Sequence, residues 1–127
     1  MNFYYMFIIQ GESMEDCLFC KIAKGEIPSK KVYEDDKVYA FYDINPEAPT
    51  HFLVIPKEHI ESANDLNDNN IDIVSHIFKV INKLVVELKI ANTGYRIVNN
   101  CGEDGGQTVK HLHFHVIGGR SLNWPPG

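Results

Sequence analysis

From Lys110 to Arg120 the chain reads His111-Leu112-His113-Phe114-His115-Val116-Ile117-Gly118-Gly119, with histidines on a strict two-residue period. In a β-strand, residues i, i+2 and i+4 share one face. The alternation therefore predicts three imidazoles in a row over one surface, with Leu112, Phe114 and Val116 turned into a core. Half of the histidines of the protein, three of six, fall within these five residues. A core would have to satisfy several clustered polar rings, at roughly 1–3 kcal/mol for each group left unpaired. The row therefore points to chemistry, and since a strand-borne H-x-H pair is also a metal arrangement, metal binding and catalysis both stay open.

A chain of 127 residues suits one domain that buries a core without disulfides. The formal net charge of -5 gives no reason to expect a nucleic-acid partner, although a small anionic ligand at one local site is allowed. Cys17, Cys20 and Cys101 are odd in number, and the first two form C-x-x-C. That spacing reads more often as metal-binding or redox-active than as part of a secreted framework, and it suits a reducing cytoplasm. The apolar start, residues 1–9, has no basic flank or small-residue cleavage site and is much shorter than the ~20 residues of a membrane span. Met14 is a plausible alternative start, so residues 1–13 are treated as an uncertain extension and 14–127 as the domain.

Along the chain, residues 17–25 predict a short helix, broken by Glu26-Ile27-Pro28-Ser29. Lys31-Val32-Tyr33 and residues 37–43 predict a hairpin around the turn Glu34-Asp35-Asp36, and His51–Ile55 a buried strand ending at Pro56. Between 70 and 90, Val74, Ile77, Phe78, Ile81, Leu84, Val85 and Leu88 follow helical spacing, which predicts one long amphipathic helix ended by Gly94. His76 falls on its polar side and reads as solvated. Tyr95–Val98 predicts a strand, residues 99–107 a glycine-rich loop, and 108–117 the histidine strand. The glycines suit either an anion-binding nest of backbone N–H groups or a plain hairpin loop. The order α-β-β-β-α-β-β predicts an α+β domain: an antiparallel sheet of about five strands, one long helix and a short N-terminal one.

His111-x-His113-x-His115 followed by two apolar residues resembles the signature of the histidine triad (HIT) superfamily. Phe19-x-Lys21-Ile22, Gly25-Glu26-Ile27-Pro28, Asp43-Ile44-x-Pro46, the run from Ala48 to Ile60, Asp104-Gly105-Gly106-Gln107 and Trp124-Pro125-Pro126-Gly127 look like its Hint branch. The likeness covers the chain from about Cys17 onward and implies a HIT-like fold. It also implies a hydrolase that splits purine nucleoside 5′-phosphoramidates into a nucleoside monophosphate and an amine. Other HIT branches hydrolyse dinucleoside polyphosphates, and a nucleotide-binding regulatory role with incidental hydrolysis is a further alternative.

By motif position, the resemblance implies that His113 attacks the α-phosphorus to form a nucleotidyl-histidine, and that His115 donates a ring N–H to a phosphate oxygen. Thr108 stands where serine is usual, and His51 is expected behind the nucleophile. Asp43 is expected on the ribose, Ile44, Phe19, Ile22 and Ile27 around the base, and Asn100 on the ribose-phosphate, with Gly106 also counted as nucleotide-binding. From the residues alone, the C-x-x-C pair reads as redox, chance or half a zinc site. The resemblance favours structural zinc held by Cys17, Cys20, His59 and His111, with no metal needed for the chemistry. It further implies a homodimer, with the tail from Ser121 to Gly127 reaching toward the partner's site. Cys101 reads as a bystander.

Overall fold

The computed structural model describes residues 16–127, so the expected extension over 1–13 lies outside the described residues. Its order is α1 (Leu18–Ala23), β1 (Lys31–Glu34), β2 (Val38–Tyr42), β3 (Thr50–Pro56), a short 3-10 turn at Ala63–Asp65, α2 (Asp72–Glu87), β4 (Tyr95–Val98) and β5 (Phe114–Gly118). The five strands form one antiparallel sheet in the order β1-β2-β3-β5-β4. This is the expected α+β architecture, with β2 and β3 buried on both faces at the centre.

Alternation along the central strands divides the side chains between two layers. Val38, Ala40, Phe52, Val54, Phe114 and Val116 pack against Ile77, Val80, Ile81, Leu84 and Val85 of α2. Tyr39, Phe41, Leu53 and Ile55 face the other way and meet Cys17, Phe19, Cys20 and Ile22 around α1. The apolar run of β3 is thus the mark of a strand covered on both sides. Packing also carries α2, whose β-branched residues are mediocre helix formers but fill the layer beneath the sheet.

Four local expectations need correction. Gly94 does not end α2; the helix stops at Glu87, with Leu88 as its cap. Lys89 takes φ 64°, while the Lys89 N–H donates to Val86 O and the Ile90 N–H to Val85 O. This is a Schellman stop with lysine where glycine is usual. It is tied down by Ile90, buried in the core beside Gly118. Val80 belongs to the buried stripe and Phe78 does not, being 41% exposed with its ring edge-on to Phe114.

His76 is not simply solvated: its Nε2 lies 2.8 Å from Asp35 Oδ2. Asp35 is the turn residue of the β1–β2 hairpin and accepts from the Lys37 and Val38 N–H groups and from the Tyr33 hydroxyl. Burial raises its carboxyl pKa, but these hydrogen bonds and His76 outweigh it and hold the group at about 2.

The histidine strand is shorter than expected, beginning at Phe114 rather than near Thr108. Its last pairing with β3 is Val54 to Phe114. Beyond it the ladder gives way to other acceptors, the Leu112 N–H donating to Ile60 O and the His111 ring to Pro56 O. The facing of the side chains nevertheless persists, because Leu112 stays in the α2 layer while His111 and His113 meet Phe19 on the opposite side.

Candidate active site and metal centre

The three histidines of the motif have different partners. His115 stands on β5 opposite Leu53 of β3. Its Nδ1 is 2.9 Å from His51 Nε2, and His51 Nδ1 accepts the Glu47 backbone N–H at 3.1 Å. A backbone N–H can only donate, so His51 Nδ1 carries a lone pair and the His51 proton sits on Nε2. That proton is donated to His115 Nδ1, which leaves the proton of His115 on Nε2. Asp43 Oδ2 lies beside the pair, 3.4 Å from His51 Nε2 and 3.9 Å from His115 Nδ1.

His113 is wired in the opposite sense. Its Nδ1 donates to the His111 carbonyl at 2.7 Å, which leaves Nε2 bare. The His113 and His115 ring centroids are 5.2 Å apart. A lone-pair nitrogen and an N–H donor are thereby set side by side. Burial keeps both rings neutral: it lowers the pKa of His113, and together with His113 and His51 it brings that of His115 to about 4. His51 is lowered as well, chiefly by burial against the opposing pull of Asp43 and Glu47.

His51 therefore does not stand behind His113, as expected from the sequence; it stands behind His115, and the His111 carbonyl sets the tautomer of His113. The carbonyl of His113 is in turn held by the Asn99 side-chain amide at 2.9 Å, just past the end of β4. Sequence reasoning named Asn100 and missed Asn99. It also missed the Glu47 N–H and the Pro56 carbonyl, which as backbone groups leave no mark on residue identity.

Cys17, Cys20, His59 and His111 form a second cluster whose ligand atoms all lie within 4.8 Å of one another. Cys17 Sγ is 3.3 Å and Cys20 Sγ 3.5 Å from His111 Nδ1, and Cys20 Sγ is 3.3 Å from His59 Nδ1. Tetrahedral zinc, with Zn–S near 2.3 Å and Zn–N near 2.0–2.1 Å, sets sulfur and nitrogen roughly 3.6 Å apart. The donor set fits that ion. His111 Nε2 donates to Pro56 O at 2.8 Å, so Nδ1 presents its lone pair to the two sulfurs, the usual outer support of a ligating imidazole. Cys17, the N-cap of α1, accepts the Cys20 N–H on Sγ, which brings both sulfurs to one side of the turn.

The other expected residues spread around this centre. Phe19 packs edge-on to His113 at 5.1 Å and to Phe41 at 5.5 Å. Ile22 is buried with them, and Ile27 packs against the same cluster. Asp43, Ile44 and His51 line a cleft of about 780 Å³ with Pro28, Ser29 and Lys30, and Ile44 is 90% exposed at its rim. Asn100 lines a separate hollow beside β4 and β5 with Gly105, Ile117 and Trp124. Gly106 and Thr108 line a third with Glu61, Ser62 and Lys110.

The loop glycines answer to the path of the loop itself. A Cβ on Gly105 would lie 2.5 Å from Cys101 O, and Gly106 has φ +81°. Gln107 staples this loop, its amide donating to Glu61 O and Val109 O while its carbonyl accepts the Gly102 N–H.

An α+β domain with an antiparallel sheet, a lone-pair and a donor histidine side by side, and a Cys/His cluster behind them defines a histidine-triad class of protein. The HIT domain model matches residues 24–122. The chain is 58% identical to a histidine triad protein of Clostridium difficile, with a TM-score of 0.84 over 89% of this chain and 97% of that one. It is 50% identical to a HIT family hydrolase of Legionella pneumophila, with a TM-score of 0.86 over 87% of this chain and 99% of that one. A 14 kDa zinc-binding protein of Zea mays is 47% identical over 112 residues, 87% of each chain. This chain belongs to the HIT family.

Proposed function

We propose that this protein is a Hint-like hydrolase that cleaves purine nucleoside 5′-phosphoramidates through a nucleotidyl-histidine intermediate. The observation that carries this reading is the complementary wiring of the two rings, with His113 Nε2 bare and His115 Nε2 protonated. His113 Nε2 forms a bond to the α-phosphorus while the bond from phosphorus to nitrogen breaks. Its Nδ1–H stays on the His111 carbonyl as the ring gains positive charge. The departing amine takes a proton from solvent. Water then supplies hydroxyl to phosphorus, frees His113 and returns that proton. His115 Nε2–H donates to a non-bridging oxygen as charge shifts onto it, and His51 keeps that donor oriented.

Phe19, Ile22, Ile27 and Ile44 take the base, Asp43 the ribose, and Asn100, Gly106 and Thr108 the remaining ribose-phosphate contacts, since a nucleotide extends over more than one hollow. Cys17, Cys20, His59 and His111 would hold zinc, which would supply a structural centre tying the N-terminal segment to the residues before β5. The Zea mays protein, described as zinc-binding, supports that part of the reading, as the Legionella hydrolase supports the activity. None of the three cysteines forms a disulfide, which suits the cytoplasm. We further propose a homodimer that pairs across β4, an edge strand of the sheet and half-buried along its length.

The test is turnover of adenosine 5′-phosphoramidate by the wild type and by His113→Ala, with mass spectrometry of acid-quenched enzyme. The expected result is release of AMP and a nucleotidyl adduct on the peptide carrying His113, both absent in the variant. Equal turnover by the variant would remove His113 from the chemistry, and no turnover by the wild type would remove the activity.

A further inference from the structure

We propose that the Cys17–Cys20–His59–His111 centre positions the nucleophile, with His111 as the link: its ring belongs to the metal centre and its backbone carbonyl holds the proton of His113. The inference rests on the reading of those four residues as a metal site and of His113 as the attacking group. Three observations carry it. His111 is fully buried, with Nε2 tied to the Pro56 carbonyl and Nδ1 3.3 and 3.5 Å from the two cysteine sulfurs, so a bound ion leaves its ring no freedom. The carbonyl of that same residue accepts the His113 Nδ1–H at 2.7 Å, the contact that keeps His113 Nε2 bare. Phe19 lies between the two cysteines in sequence, and its ring stands edge-on to His113 at 5.1 Å and to His111 at 6.0 Å.

One ion thus grips the chain on both sides of the His113 ring. Through the cysteines it holds the helical turn that presents Phe19, and through His111 it holds the carbonyl that selects the tautomer. An empty centre weakens both constraints, leaving the His111 ring only its hydrogen bonds to Pro56 O and the cysteine sulfurs. His113 then exchanges between its two neutral tautomers, and one of these carries the proton on the attacking nitrogen and cannot react. The metal takes no part in the chemistry, but its occupancy sets the fraction of enzyme in a reactive form.

The test reads the ring nitrogens of His113 by nitrogen-15 NMR in the full chain, without substrate. Zinc-loaded, chelator-stripped and cadmium-reloaded protein are compared, with backbone spectra to show that the fold is kept. The expected result is a sharp His113 Nδ1–H signal when loaded, its loss on stripping and its return on reloading. Turnover should fall on the order of tenfold to a hundredfold between loaded and stripped forms. Two variants separate positioning from simple structural support, and they decide the matter if the stripped chain unfolds. His59→Ala keeps both cysteines and the His111 link, and should hold metal and retain the His113 signal. His111→Ala keeps three ligands but cuts the link, and should lose the signal with metal still bound. A stripped, folded protein with unchanged His113 signals and rate would overturn the proposal, as would equal behaviour of the two variants or failure of the wild type to take up zinc or cadmium. Because the ring signals are read without substrate, these results are independent of whether the phosphoramidate turns over.

Discussion

Lowering the pH should destabilise the fold through His115 well before any carboxylate is involved. In the folded state burial, with His113 and His51 beside it, brings the His115 pKa from 6.5 to about 4. The unfolded chain takes up a proton at this ring as pH falls through about 6.5, whereas the folded chain does so only near 4. In that window the unfolded state binds more protons, so stability drops with falling pH and is lost progressively from pH 6.5 to 4. Two and a half pKa units correspond to about 3 kcal/mol in the limit, of which about 2.5 kcal/mol is gone by pH 4.5. The ring is 18% exposed, which leaves most of that figure undiluted by solvent. The assay is urea unfolding of the wild type and His115→Gln at steps from pH 7 to 4.5. The glutamine side chain does not titrate, so the wild type should lose stability more steeply than the variant, by roughly 2 kcal/mol over the range. Parallel pH profiles for the two proteins would refute the claim that burial, with the neighbouring rings, keeps His115 neutral in the fold.

Two further outcomes follow from the local geometry. Lys89→Gly should raise stability by about 1 kcal/mol in urea unfolding, because φ 64° in the Schellman stop strains any residue with a Cβ. A lowered midpoint would mean that the lysine side chain contributes more than its backbone costs. Asn99→Ala should free the His113 carbonyl and lower phosphoramidate turnover on the order of tenfold or more with the fold intact, while Asn100→Ala leaves the His113 ring-nitrogen spectrum unchanged. Equal ring spectra for Asn99→Ala and wild type would show that this amide does not hold the nucleophile.

Much of the fold was legible because it depends on period. The alternation in residues 111–117 and the helical spacing around Ile77, Ile81, Leu84 and Val85 each state which side of an element is buried, and the order of elements then leaves few ways to cover a sheet. Element ends were less legible. β5 starts at Phe114 because the chain before it leaves the ladder with β3, the Leu112 N–H turning to Ile60 O, a partner outside that strand. α2 ends at Glu87, turned by Lys89 just past its cap, because Ile90 has a place in the core, which no helix-stop residue announces. The Cys/His cluster shows the same division: the residue types and a family likeness picked out Cys17, Cys20, His59 and His111 across 94 positions of sequence, but only the fold brings them together.

The histidine row itself states the division most clearly. Its spacing alone determined that three rings share one side and that the apolar residues between them build the core, since a strand-like backbone admits no other arrangement. It could not determine which ring has which role, because three imidazoles are chemically identical until each has a partner. Tertiary structure decided that through groups remote in sequence or without side-chain identity: the Glu47 N–H acting through His51, the carbonyl of His111, and the Pro56 carbonyl with two cysteine sulfurs. A ring nitrogen is donor or lone pair according to what faces it, and what faces it is set by the fold.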